Sequence, residues 1–118
     1  MAPVPSLKPY DKGQEGLKLN NIKQNTEHIE SLNKTANYRI PDEMIVDEFD
    51  VVQQIGEVKH YALNRTVSYT KQLQDFITYA NQHQIKFNLY VPNGVNISKP
   101  LQEAINSSSL LKIVRYTR

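Results

Sequence analysis

Asp42, Glu57 and Lys59 are the residues of this chain whose types and spacing suggest chemistry done together. Glu57 and Lys59 stand two apart in "IGEVKHY" (55–61), and a strand there turns both to one face. Asp42 lies upstream in "IPD" (40–42), at the start of a second strand candidate, where a hairpin can bring its carboxylate to that of Glu57. Two carboxylates at such a point can share a divalent cation through oxygen. A cation so held contacts a phosphate oxygen, lowers the pKa of an attacking water and offsets charge on the leaving group. A neighbouring lysine adds a point charge that orients the nucleophile or steadies a pentacovalent phosphate. That is the minimum apparatus for hydrolysing a phosphodiester. Glu-x-Lys on one strand face also occurs as an exposed ion pair contributing about 0–1 kcal/mol. The three-letter pattern alone does not choose between them.

The elements that must position these residues are legible in outline. Three of the six prolines fall in residues 1–10, and 1–12 reads as an extended lead-in to one domain over 13–118. A helix with a thin apolar stripe (Leu17, Leu19, Ile22, Ile29) is expected from about 13 to 30, followed by turn chemistry in "SLNKTANY". "YRIPDEMIV" and "DVVQQIGEVKHY" read as two strands, with the acidic "DEFD" as the hairpin turn between them. In the second, Gln53, Ile55, Glu57 and Lys59 should share one face, and Val52, Gln54, Gly56 and Val58 the other. "SYTKQLQDFITYANQHQ" is the clearest amphipathic helix, through Tyr69, Leu73, Phe76, Ile77 and Ala80, with Ser68 as its expected N-cap. "KFNLYV" is a strand ended by "PNG". "SKPLQEAINSS" is a short helix capped by Ser98 with Pro100 in its first turn, and "LLKIVRYT" is a last strand. The order α-β-β-α-β-α-β implies antiparallel pairing at the hairpin and parallel pairing after it. The predicted fold class is α/β (α+β), a mixed central sheet flanked by helices.

Composition narrows the options. With 118 residues, 39% hydrophobic and 22% charged, the chain suits one folded domain. No apolar run approaches the roughly 20 residues that cross a bilayer. "MAPVPSLKPY" lacks the charged and apolar regions of a secretory signal, so export would depend on something else carrying the domain. The absence of cysteine excludes disulfides and thiolate zinc sites. His28, His60 and His83 have no ligand-like spacing, which leaves oxygen ligands and favours Mg²⁺ or Mn²⁺. Residues 1–59 hold seven Lys/Arg against ten Asp/Glu, and residues 60–118 seven against two. That asymmetry suits a protein that holds a cation and meets a polyanion. It equally suits a solvated acidic hairpin beside basic helices.

"IPD" followed by "GEVKH" (56–60) resembles the Pro-Asp…(Asp/Glu)-x-Lys signature of restriction-endonuclease-like nucleases. "KQNTEHIESLNKTANYRIPDEM" and the block from "GEVKHY" to "LQEAI" are similar to a family of bacterial polymorphic-toxin nuclease domains. Such domains form the C-terminal tips of Rhs, contact-dependent-inhibition and type VI effector proteins. The resemblance runs over roughly residues 13–105.

The resemblance implies that Asp42 binds metal, that Glu57 is the second ligand and that Lys59 is the catalytic lysine. Folds of this kind often add a glutamate from the first helix, for which Glu15 is the first choice, with Glu27 and Glu30 as competitors. A Thr-x-Gln recurs on the helix after the lysine strand. Here it is Thr70 and Gln72, and Gln72 could reach the site or the substrate backbone. Mg²⁺ or Mn²⁺ would be the cofactor. The substrate would be nucleic acid, DNA by preference since this fold class mostly cuts DNA, with tRNA as the alternative. A cognate immunity protein would be the partner, and the domain would be delivered within a larger effector to act in the target-cell cytoplasm.

From the residues themselves, Arg65, Lys71, Arg115 and Arg118 are candidate phosphate contacts, with solvated charge as the default. His60 alternates away from Lys59 and is expected to pack or face solvent. Tyr69, Phe76 and Tyr79 are expected in the core or on a helix surface. Ser98 is expected to cap its helix, since no histidine is placed to activate it. Two rivals stay open: a repair or junction nuclease of the same fold, and a non-catalytic binding module whose Glu57–Lys59 pair is a surface salt bridge.

Overall fold

A computed structural model describes residues 9–118, with side chains from Gly13 onward. The elements run α1 (Pro9–Leu19), β1 (Glu43–Val46), β2 (Val52–Val58), β3 (Thr66–Val67), α2 (Lys71–His83), β4 (Lys86–Pro92), β5 (Asn96–Ile97), α3 (Lys99–Asn106) and β6 (Leu111–Tyr116). Four strands form the central sheet in the order β1-β2-β4-β6. β1 pairs antiparallel with β2, and β2, β4 and β6 run parallel. This is the expected mixed sheet and element order. The additions are β3 and β5, a two-residue parallel pair that is too short to show a period in sequence.

The helices cover the sheet unequally. On one face Leu73, Phe76, Ile77 and Ala80 of α2 and Leu101 and Ile105 of α3 pack on Ile55, Phe87, Leu89 and Leu111. Each Leu, Ile or Phe side chain among these contributes about 1.5–3 kcal/mol by leaving water. On the other face Leu17 of α1 joins Val58 and Tyr90 in a smaller cluster. α2 is capped by Thr70, whose side chain accepts from Leu73 N–H, and ends at Gln84 in a left-handed conformation. The N-cap is thus Thr70 and not the expected Ser68. Ser98 caps α3 as expected, accepting from Leu101 N–H.

Three further expectations are corrected. The first helix stops at Leu19 and does not continue to residue 30. Asn20 donates its side-chain amide to Gly16 C=O, Asn21 adopts φ 56°, and Ile22 N–H closes on Leu17 C=O, so the Asn pair terminates the helix. Of the stretch read as a lead-in, residues 1–8 lie outside the described residues and 9–12 belong to α1. The register of β2 on β1 shifts between Ile45 and Val46, which pair with Gln54 and Val52, and Val52 packs against the same cluster as Ile55. A one-residue irregularity flips the side-chain sequence, which simple alternation does not anticipate. The "DEFD" turn is as expected: Asp47 Oδ1 accepts from Phe49 and Val51 N–H, and Asp50 takes φ 61°.

Gly16 sits where α1 crosses β2, and a Cβ there would lie 2.6 Å from Val58 Cγ1 and 3.0 Å from His60 Cβ. Gly13, one turn earlier, has nothing within 4 Å of the same position. Gly16→Ala should therefore lower the unfolding free energy in urea by about 1–3 kcal/mol. Gly13→Ala should leave it unchanged or raise it by up to about 1 kcal/mol. Equal effects of the two would refute the close crossing.

Candidate active site

The β1–β2 register pairs Glu43 with Gly56 and so sets Asp42 against Glu57. Two main-chain bonds lock the arrangement. Val58 N–H donates to Asp42 Oδ2 at 2.8 Å, and Asp42 N–H donates to Glu57 Oε1 at 3.2 Å. Pro41, fully buried, delivers Asp42 to this point. The two carboxylates are brought together as the sequence suggested. Glu43, beside Asp42, turns to the opposite face, where its Oε1 accepts from Tyr90 Oη and Gln54 Nε2.

Glu57 is only 5% exposed. Lys59 Nζ lies 3.3 Å from Glu57 Oε2 and donates to Gln72 Oε1 at 2.7 Å. Gln72 stands in the first turn of α2, so the helix fixes the lysine over the carboxylate. This is a largely buried contact, unlike the surface salt bridge that a binding module would carry. Burial pushes the Glu57 carboxyl up to about 8, the Asp42 charge adds to the shift, and Lys59 opposes it. The protein thus holds an acidic pair short of positive charge.

A second carboxylate, which the sequence reading missed, braces the approach to Asp42. Asp75 of α2 is fully buried, and its Oδ2 accepts from Ser31 Oγ (2.7 Å), Thr35 Oγ1 (2.5 Å) and Arg39 Nε (2.8 Å). Burial raises its pKa, but the hydrogen bonds from Thr35, Arg39 and Ser31 outweigh this and hold it at about 2. Arg39 also pairs through its backbone with Ile29, and Asn25 bonds to the carbonyls of Pro41 and Asp42. The 31–42 segment is therefore pinned to the helix that carries Gln72. An Asp inside an amphipathic helix reads as solvent-facing. The one available signal is its position between Leu73 and Phe76, on the apolar side.

The other candidates are placed as follows. Glu15 Oε2 lies 3.4 Å from His60 Nε2, and His60 Nδ1 bonds to Tyr116 Oη at 2.6 Å. His60 is buried on the face opposite Lys59, in accord with the packing role, and α1 draws Glu15 there too. Among the described residues no three His, Asp or Glu side chains gather around one point, so neither Glu15 nor Glu27 nor Glu30 joins Asp42 and Glu57. Arg65 is exposed, with its guanidinium 5.1 Å from the centre of the Tyr61 ring. Lys71 is exposed beside Gln72. Arg115 turns inward to the carbonyls of Pro92 and Val95, and Arg118 bonds to the carbonyl of Tyr61. Tyr69 and Tyr79 pack against the core, as expected.

Asp42 and Glu57 offer the oxygen donors that a hard divalent ion takes, and magnesium commonly uses only one or two carboxylates. With Glu57 buried beside a second acid, the donor set fits such an ion. A mixed sheet carrying this pair and its lysine, flanked by helices, has the architecture of a restriction endonuclease fold. The family model for restriction endonuclease fold toxin 7 matches residues 13–101, and the chain belongs to that family. Membership supports a nuclease toxin, and folds of this kind generally use divalent metals. No curated protein and no solved structure matches the chain. No helix among the described residues is long and apolar enough to cross a membrane.

Two measurements follow from these charges. Folded, Glu57 keeps its proton up to about pH 8, whereas the unfolded chain loses it near 4.5. Between those values the native state binds more protons, so stability falls as pH rises. Glu57→Gln removes this dependence. In EDTA its Tm should exceed that of wild type by a margin that widens from acid pH to about 8 and then levels off. A margin independent of pH would contradict the buried neutral acid. Asp75→Ala leaves Arg39 and two hydroxyls without their acceptor and should cost about 3 kcal/mol in urea unfolding. Ser31→Ala, which removes one donor to Asp75 and the acceptor of Thr35 and Ala36 N–H, should cost less, about 1–2 kcal/mol.

Proposed function

We propose that this domain hydrolyses phosphodiester bonds of nucleic acid, DNA by preference, with a divalent ion, Mg²⁺ or Mn²⁺, held by Asp42 and Glu57. It would act as the toxin domain of an interbacterial effector, in the cytoplasm of the target cell, and its producer would carry a cognate immunity protein. The observation that carries the reading is the buried Glu57 joined to the half-buried Lys59, Gln72 and Asp42. A lysine whose Nζ is held by a helix side chain, beside two converging acids, is costly unless the site is used.

When bound there, the ion supplies positive charge against the phosphate oxygens and lowers the pKa of the attacking water. The chain's own groups do the rest. Asp42, locked by Val58 N–H, and Glu57, locked by Asp42 N–H, present oxygens in a fixed relation that needs no rearrangement on binding. Gln72 Oε1 accepts a hydrogen bond from the Lys59 ammonium and keeps it beside Glu57, where it can face the charge that develops on a pentacovalent phosphate. Glu15 has no part in this set, since its carboxylate is engaged by His60.

The test is incubation of plasmid DNA and total tRNA with and without Mg²⁺, using wild type, Asp42→Ala and Lys59→Ala. Plasmid loss that needs metal and disappears in Asp42→Ala is expected, with Lys59→Ala lowering kcat by about 100-fold or more. Loss of tRNA alone would keep the chemistry and change the substrate. No cleavage of either, even with a cell extract added, would overturn the proposal.

A further inference from the structure

A cavity of about 280 Å³ opens where β2 ends, lined by Gly13, Val58, Lys59, His60, Tyr61, Ala62 and Arg65. Lys59, whose ammonium leans on Glu57, is one of the lining residues, so the space adjoins the strand end that carries the acidic site. We propose that the cavity is the subsite for a backbone phosphate neighbouring the scissile one, with Arg65 as its anchor. The proposal rests on the nuclease reading and extends it to the path of the substrate strand.

Arg65 carries the argument. It is exposed, makes no ion pair among the described residues, and lies over the Tyr61 ring with 5.1 Å to the centroid. A guanidinium resting over a ring is partly ordered before it binds, which lowers the entropy lost on gripping an anion. Its backbone is equally fixed. Arg65 N–H bonds to Ala62 C=O, and Arg65 C=O accepts from Asn96 N–H at the start of the β3–β5 pair. The preceding turn is closed by Asn64 N–H to Gly94 C=O, with φ 67° at Asn64 and 85° at Gly94. The arginine therefore stands on a rigid base.

The surrounding charge favours an anion. Lys59 and Arg65 are among the described residues that line the space, and no Asp or Glu is. The walls supplied by Gly13 and Ala62 are small, and no atom crowds the Cβ position of Gly13. Phosphate is the anion whose geometry the guanidinium fork matches, and a nucleic-acid strand entering the acidic site must carry phosphates past its rim.

The experiment measures anisotropy of a labelled single-stranded oligonucleotide with the protein in EDTA, over a series of salt concentrations. Arg65→Ala should weaken binding roughly tenfold and lower the slope of log K against log salt by about one phosphate contact. Arg65→Lys should fall between it and wild type. Lys112→Ala, at the other end of the sheet, should leave both quantities unchanged. Inorganic phosphate should compete through this site in wild type and not in Arg65→Ala, and only at concentrations far above those of the oligonucleotide. Unchanged affinity and slope in Arg65→Ala, or an equal loss in Lys112→Ala, would overturn the subsite. Cleavage with Mg²⁺ is run on the same preparations. If wild type cuts while Arg65→Ala binds normally, the subsite falls and the nuclease reading stands. If wild type neither binds nor cuts nucleic acid, both fall.

Discussion

Two carboxylates in a poorly hydrated position set the terms for the rest of this structure. Asp42 and Glu57 repel each other, and Glu57 in addition loses its water. Left alone, such a pair would swing apart or draw solvent in. The protein prevents this through the backbone: each acid accepts an N–H from the strand that carries the other. Because these donors belong to the β1–β2 ladder, separating the acids means breaking the hairpin. Lys59 offsets part of the charge and Gln72 keeps it there. What remains uncompensated shows as a raised Glu57 pKa, so a cation that binds there takes the place of the Glu57 proton.

Sustaining such a site requires bracing at a distance. α2 supplies it twice from one surface, through Gln72 to the lysine strand and through Asp75 to the segment leading into Asp42. The two residues are three apart, neighbours on a helix face. Both halves of the acidic cluster are thereby referred to one rigid body, whose Leu73, Phe76, Ile77 and Ala80 are sunk in the main core. Asp75 would be a costly core residue in isolation. Three donors converge on its Oδ2 and make it a clamp, while its Oδ1 is buried with no hydrogen-bond partner among the described residues.

How much of this was legible in the sequence depends on how local each cause is. Period-two alternation put Glu57 and Lys59 on one face, and the short acidic turn brought Asp42 to them, because both follow from a few consecutive residues. The apolar stripe of α2 and the cap at Ser98 were legible for the same reason. The end of α1 turned on which Asn took a left-handed φ, which composition does not specify. The face of Val52 turned on a register shift imposed by the partner strand. Asp75 was illegible because its three donors lie 36 to 44 residues away in sequence. Gln72 was found through family resemblance and not through spacing.

Glu15 shows where a first-helix glutamate meets the packing of this particular chain. Gly16 lets α1 close on β2 near Val58 and His60, on the face of the sheet away from Lys59. The neighbouring Glu15 then reaches His60, which Tyr116 holds from its other nitrogen. Moving Glu15 to Asp42 would mean carrying the helix around the edge of the sheet and giving up the contact of Leu17 with Val58 and Tyr90. Among the described residues the acidic site is consequently built from two side-chain carboxylates. A small cation that keeps several of its waters suits that set better than one that demands a full protein cage.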